Sequence, residues 1–185
     1  MHILIGENRL ELTIGDITKE KTEAIVNAAN GSLMGGGGVD GAIHQAAGPE
    51  LLQACRTIRK QQLKGEPLGT GEAVITAGYH LPASYVIHTV GPIWDDHHPN
   101  QDKQLASCYL HALKLAQEHH LSSIAFPSIS TGVYRFPIKL AAEIAIRTVT
   151  NYLQTATFGQ VKIVLFSEAD FRVYQSALKH ITDSL

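Results

Sequence analysis

The 185-residue chain predicts an α/β protein, a mixed sheet with parallel strands in its middle and helices over both faces. Three observations carry that expectation. Short apolar runs of strand length alternate with longer segments striped at helical spacing. Four of the strand-like or extended segments run into Gly-, Ser- or Asn-rich loops that precede a helix. No linker, low-complexity block or internal repeat divides the chain, and its length suits one domain over 1–185.

The elements follow in order. His2–Ile5 and Leu10–Ile14 read as strands around the turn Gly6-Glu7-Asn8, a hairpin-like pair that makes the sheet mixed. Ala24-Ile25-Val26-Asn27 suits a buried strand. Helical patterns cover 39–47 and 49–63, the second opening on Pro49, a favoured first-turn residue. Ala73–Thr76 and Tyr85–Val90 are strand-like, and Gly91-Pro92 breaks the second. A helix at 102–119 sets Leu105, Cys108, Ala112 and Ala116 on one face. Ser123–Phe126 ends at Pro127, a helix spans 137–154, Val161–Phe166 is the last strand, and Phe171, Tyr174, Leu178 and Ile181 stripe the last helix.

Composition narrows the function classes. With 15 Lys and Arg against 17 Asp and Glu, the net charge of −2 argues against a nucleic-acid partner held through a basic face. No apolar run approaches the roughly 18–20 residues of a spanning helix. The opening residues lack a basic and then apolar leader, so a soluble, cytoplasmic protein is expected. Cys55 and Cys108 lack CxxC spacing and read as small packed residues.

Ligands of such sheets bind outside the carboxyl ends of the strands. Gly15-Asp16, Asn27 to Gly38, Ser128 to Phe136 and Ser167 to Asp170 should therefore share one rim. Gly35-Gly36-Gly37-Gly38 opens a small-residue helix, where bare backbone and an unpaired helix start make a phosphate cradle. Gly36-x-Gly38-x-x-Gly41 matches the dinucleotide fingerprint in letter. It lacks the immediate strand-to-glycine turn and the acidic ribose ligand of a nicotinamide enzyme. No Walker lysine and no G-x-S-x-G elbow is present. Ser130-Thr131-Gly132-Val133-Tyr134 could donate backbone N–H groups to a second phosphate while the ring covers a sugar, or could be a turn with hydroxyl caps.

Taken together, Gly15-Asp16-Ile17-Thr18, Val26-Asn27-Ala28-Ala29-Asn30, Gly35 to Gly48, His88-Thr89-Val90-Gly91-Pro92 and Ala125 to Gly132 resemble a macrodomain, and GGGGVDGAIHQAAG resembles its MacroD-type branch. The resemblance spans nearly the whole chain. It implies a three-layer α/β/α fold with a mixed, mainly parallel sheet that binds ADP-ribose. It implies that Asp16 accepts from the adenine amino group with the Ile17 N–H nearby, and that Phe166 lies against the ring; without it, Phe166 reads equally as a core residue. Gly36, Gly37, Gly38 and Val39, with Ser130 to Tyr134, would hold the diphosphate and distal ribose. Asn30 would hydrogen-bond that ribose, leaving Asn27 to fix the loop.

MacroD-type enzymes deacetylate O-acetyl-ADP-ribose and remove mono-ADP-ribosyl groups from acidic side chains of proteins, so those molecules are the expected partners of a monomeric enzyme. Asn30 and Asp40 match the catalytic pair. The helix start favours the Asp40 carboxylate and an adjacent diphosphate opposes it, so Asp40 either acts as base or orients water while a phosphate oxygen helps take the proton. His44, one turn later, either supports the water or simply packs. Arg135 departs from the pattern, because relatives often carry glycine there. The alternative function is an ADP-ribose reader without catalysis, which has no need of the Asn30 and Asp40 pair.

Ten histidines raise the question of metal. Asp95-Asp96-His97-His98 falls in a loop without HExxH spacing, His119-His120 suits a helix C-terminus, and His88 belongs in a strand. Neither a metal nor a cofactor is expected.

Overall fold

A computed structural model describes residues 1–183. Within them seven strands form one sheet: β1 His2–Ile5, β2 Asn8–Ile14, β3 Ala24–Ala28, β4 Ala73–Ala77, β5 Tyr85–Thr89, β6 Ser123–Phe126 and β7 Gln160–Leu165. They lie in the order β1-β2-β7-β6-β3-β5-β4. The five strands β2, β7, β6, β3 and β5 run parallel. Antiparallel strands β1 and β4 close the two edges.

Among the described residues five helices cover the sheet: α1 Gly38–Ala47, α2 Pro49–Gln61, α3 Gln101–Glu118, α4 Ile138–Thr155 and α5 Glu168–Thr182. Alternation along the strands sorts their side chains between two cores. Leu10, Leu12, Val26, Ile87, Phe126 and Ile163 pack with α3, α4 and α5. Ile25, Val86, Ala125 and Val164 pack with Ile43, Ala47 and Leu51 of α1 and α2. The result is the α/β/α sandwich, and each fully buried Leu or Ile contributes about 2 kcal/mol by leaving water.

Two expectations need correction. β2 begins at Asn8, two residues before the expected Leu10, and the turn is Gly6-Glu7 alone. Asn8 is buried: its Nδ2 donates to Leu153 O and Ala156 O, both at 2.8 Å, while Oδ1 accepts from Phe158 N at 2.7 Å and Gly159 N at 2.9 Å. This polar side chain thus pins the end of α4 and the approach to β7 beneath the hairpin. Second, the sheet is mixed at both edges. Only seven residues separate Ala77 from Tyr85, too few for the crossover that parallel neighbours need. The helix limits differ from the expected ones by no more than two residues. Among the described residues no helix is long and apolar enough to cross a membrane.

Asn8→Ala strands the carbonyls and N–H groups that the amide now satisfies, and should cost about 3 kcal/mol. A lower urea midpoint with an unchanged m-value would bear this out; an unchanged midpoint would contradict it.

Candidate functional site

The carboxyl ends of the parallel strands open into a cleft of about 690 Å³, within the range of small-molecule sites. All four loops expected on one rim contribute to it. Asp16, Ile17, Asn30, Gly36 to Asp40, Ser130 to Tyr134 and Phe166 line it. Among the expected site residues His44 alone does not.

One end of the cleft is set by Asp16, which caps the short 3-10 turn Ile17–Lys19. Its Oδ1 accepts from Thr18 N at 2.9 Å and Thr18 Oγ1 at 2.7 Å. Those bonds, led by the hydroxyl, hold the carboxyl below its ordinary value of 3.8, with Lys19 adding a smaller pull against the cost of burial. Oδ2 is the oxygen outside this pair of bonds. Phe166 is 89% exposed. It follows the last residue of β7 and stands on the cleft wall rather than in the core.

The glycine run forms the floor. Gly37 caps α1 with no side-chain hydrogen bond, so the first-turn N–H groups receive no side-chain cap. Gly38 has φ +58°, in the left-handed region that glycine enters without strain. Gly41 is required for a different reason: a methyl there would stand 2.5 Å from Gly36 O. A methyl on Gly36 would stand 3.2 Å from Asp40 Oδ2 and 3.3 Å from Asn30 Nδ2, so these two groups flank the same bare stretch of backbone.

Asn30 is itself the residue that fixes its loop, a role expected of Asn27. Its Nδ2 donates to Gly35 O at 2.9 Å, and Oδ1 accepts from Ser32 N at 3.1 Å and from the Ser32 hydroxyl. Asn27 instead holds Asp40, donating from Nδ2 to Oδ1 at 2.8 Å. Asp40 is only 5% exposed. His44 Nε2 lies 3.4 Å from the same Oδ1, so His44 stands behind the carboxylate while Oδ2 faces Gly36.

The opposite wall is the loop after β6. Thr131 Oγ1 donates within 3.1 Å of Ser128 O and 2.8 Å of Ser128 Oγ, and Ser128 Oγ lies 2.8 Å from Tyr174 OH. Those hydroxyls build the loop, and residues 130–134 line the cleft. Trp94 N donates to Tyr134 O at 2.8 Å, and its ring meets Phe136 edge-on at 4.9 Å. Arg135 has φ +58°, which explains why glycine suits that position, and its side chain is exposed.

Sequence reasoning missed Gly91, where a methyl would stand 2.0 Å from Ser130 Oγ. The Gly91-Pro92 break registered as a strand end, although a glycine beside a rim loop also signals close approach. His88 is wholly buried beneath the site, and burial, aided by repulsion from His44, pushes its imidazole from 6.5 down to about 3. Asp95 and Asp96 are exposed and accept from His97 N and Trp94 Nε1 within their own loop. A second, open depression of about 540 Å³ lies beside Arg56, Arg59 and Lys60. There Arg59 donates to Ser32 O and Gly65 O, an arrangement that secures the outside of the Asn30 loop.

With this geometry in place, the chain can be compared with known proteins. The family model described as Macro domain matches residues 26–145. An O-acetyl-ADP-ribose deacetylase of Escherichia fergusonii is 54% identical over 173 residues, covering 93% of this chain and 96% of the relative. The solved Oceanobacillus iheyensis macrodomain with ADP has a TM-score of 0.98 and 56% identity, covering 100% of this chain and 97% of its own. A Trypanosoma brucei macrodomain in complex with ADP-ribose has a TM-score of 0.83 and 38% identity, covering 91% of this chain and 68% of its own.

The buried neutral His88 links folding to protons. Its folded value of about 3 lies below the unfolded 6.5, so the unfolded state binds more protons between those limits and stability falls as pH drops below about 6.5. From pH 7 to pH 5 the loss through this group should be about 2 kcal/mol. Urea titrations at both pH values test it, with His88→Gln as the reference; an equal pH response in both proteins would contradict it.

Proposed function

Because the chain belongs to the macro domain family, we propose that it binds ADP-ribose in the rim cleft and hydrolyses esters on the distal ribose. The substrates are O-acetyl-ADP-ribose and mono-ADP-ribosyl groups on Asp or Glu side chains of proteins. The observation that carries this reading is that Asn30 Nδ2 and Asp40 Oδ2 both lie against the bare Cα of Gly36, beside the open start of α1. Simple retention of ADP-ribose needs the glycine floor but not a buried carboxylate beside it. The name of the Escherichia fergusonii relative supports the hydrolytic side.

Recognition runs along the cleft. Asp16 Oδ2 accepts from the adenine amino group, the Ile17 N–H lies nearby, and Phe166 covers the ring. Gly36 to Val39 and Ser130 to Tyr134 hold the diphosphate and distal ribose through backbone N–H groups, supported by the α1 dipole. Asn30 fixes the ribose.

Cleavage then follows from the position of Asp40. Water adds through its oxygen to the ester carbonyl carbon, and the bond from that carbon to the ribose oxygen breaks. The ribose oxygen takes the proton that water gives up, so the products are ADP-ribose and the free carboxylic acid. Asp40 Oδ2 orients the water or a ribose hydroxyl, while a substrate phosphate oxygen relays the proton. His44 supports Asp40 from behind. The protein works as a cytoplasmic monomer without a metal or cofactor.

Asp40→Ala and Asn30→Ala should lower kcat by about 100-fold or more while ADP-ribose affinity stays within about threefold. Product assays paired with calorimetry check this, and equal losses in both would contradict the assignment. Wild-type turnover should persist in excess EDTA; a loss restored by zinc would overturn the metal-independent step.

A further inference from the structure

Asp40 has a second side, away from the cleft, where a line of buried polar groups has no part in the chemistry above. The sheet assembles it. Parallel register sets Asn27 of β3 beside His88 of β5, both on the face that carries α1. Antiparallel register pairs Thr76 of β4 with Val86, one same-face step from His88. Asn27 Nδ2 lies 2.8 Å from Asp40 Oδ1 and 3.1 Å from His88 Nδ1, and His88 Nε2 lies 3.0 Å from Thr76 Oγ1. Asn27 and His88 are wholly buried and Thr76 nearly so.

We propose that Thr76, His88 and Asn27 form a positioning relay whose fixed proton order aims an Asn27 amide hydrogen at Asp40 Oδ1 and so keeps Oδ2 turned to the cleft. The order follows from donor and acceptor chemistry. An ionised Asp40 only accepts, so Asn27 must present Nδ2 to it. The second Nδ2 hydrogen then points at His88 Nδ1, which must accept. His88 therefore carries its proton on Nε2 and donates it to Thr76 Oγ1. Were the proton on Nδ1 instead, the Asn27 amide would have to turn, setting Oδ1 against the carboxylate. Among the described residues Asn27 Oδ1 has no hydrogen-bond partner, so the two donor bonds from Nδ2 alone orient the amide. Cys55 Sγ, 3.9 Å from His88 Nε2, is the more distant neighbour of that nitrogen.

The kinetic consequence rests on the ester-hydrolase reading, whereas the proton order does not. Nitrogen-15 NMR of the full chain at pH 7 should find His88 neutral and protonated on Nε2; an Nδ1–H or charged ring would overturn the relay. Thr76→Val and His88→Leu should then lower kcat about tenfold or more with KM and ADP-ribose affinity unchanged. His88→Asn, whose carbonyl can accept from Asn27, should recover most of the rate. Wild-type kcat in folded Thr76→Val and His88→Leu would overturn the proposal, as would parallel losses of rate and affinity. Should His88→Leu fail to fold, the tautomer and Thr76→Val still decide. A wild-type protein that cleaves no ester would defeat the hydrolase reading, and the tautomer would still decide the proton order.

Discussion

Asp40 sits in the first turn of α1 with 5% of its surface exposed, and the hydrogen bond it takes from Asn27 ties that helix to a central strand. A carboxylate this buried needs donors, and β3 supplies one because its alternation turns Asn27 toward α1 while Ala24 and Val26 face the other core. The glycines follow from the same constraint. Helix and floor can approach only if Gly41 carries no Cβ against Gly36 O. With that contact made, Oδ2 of Asp40, the Asn30 amide and the uncapped helix start share one end of the cleft.

The arrangement also explains how a chain of net charge −2 can be built to receive an anion. The cleft offers backbone and a helix dipole rather than an array of cations. The hydroxyls of Ser128 and Thr131 are occupied in shaping the second loop. A charge count over the sequence cannot register either feature. Of the cations that do gather outside the cleft, Arg59 braces the outer side of the Asn30 loop.

Much of this was legible because it depends on local sequence. The alternating elements, the strand ends and the four rim loops each leave a pattern in a short window, and the rim loops meet in the structure as expected. What escaped depends on pairs distant in sequence. Asn27 read as a loop anchor because its partner Asp40 lies across the glycine run; Thr76 and His88 meet only through strand register. Asn8 resembled a turn residue because nothing nearby reveals the carbonyls of Leu153 and Ala156. The antiparallel setting of β4 was missed although the short connection to β5 signals it, and Arg135 hid a left-handed backbone behind a residue that rarely adopts one.

Catalysis, as distinct from retention, is the central claim, and product release measures it most directly. Purified protein would be incubated with O-acetyl-ADP-ribose and, separately, with a protein mono-ADP-ribosylated on Asp or Glu, and the products weighed by mass spectrometry. Free ADP-ribose with acetate, or with the restored carboxyl side chain, should accumulate over many turnovers. Tight binding of both substrates without release of ADP-ribose would contradict the account and make the protein a reader.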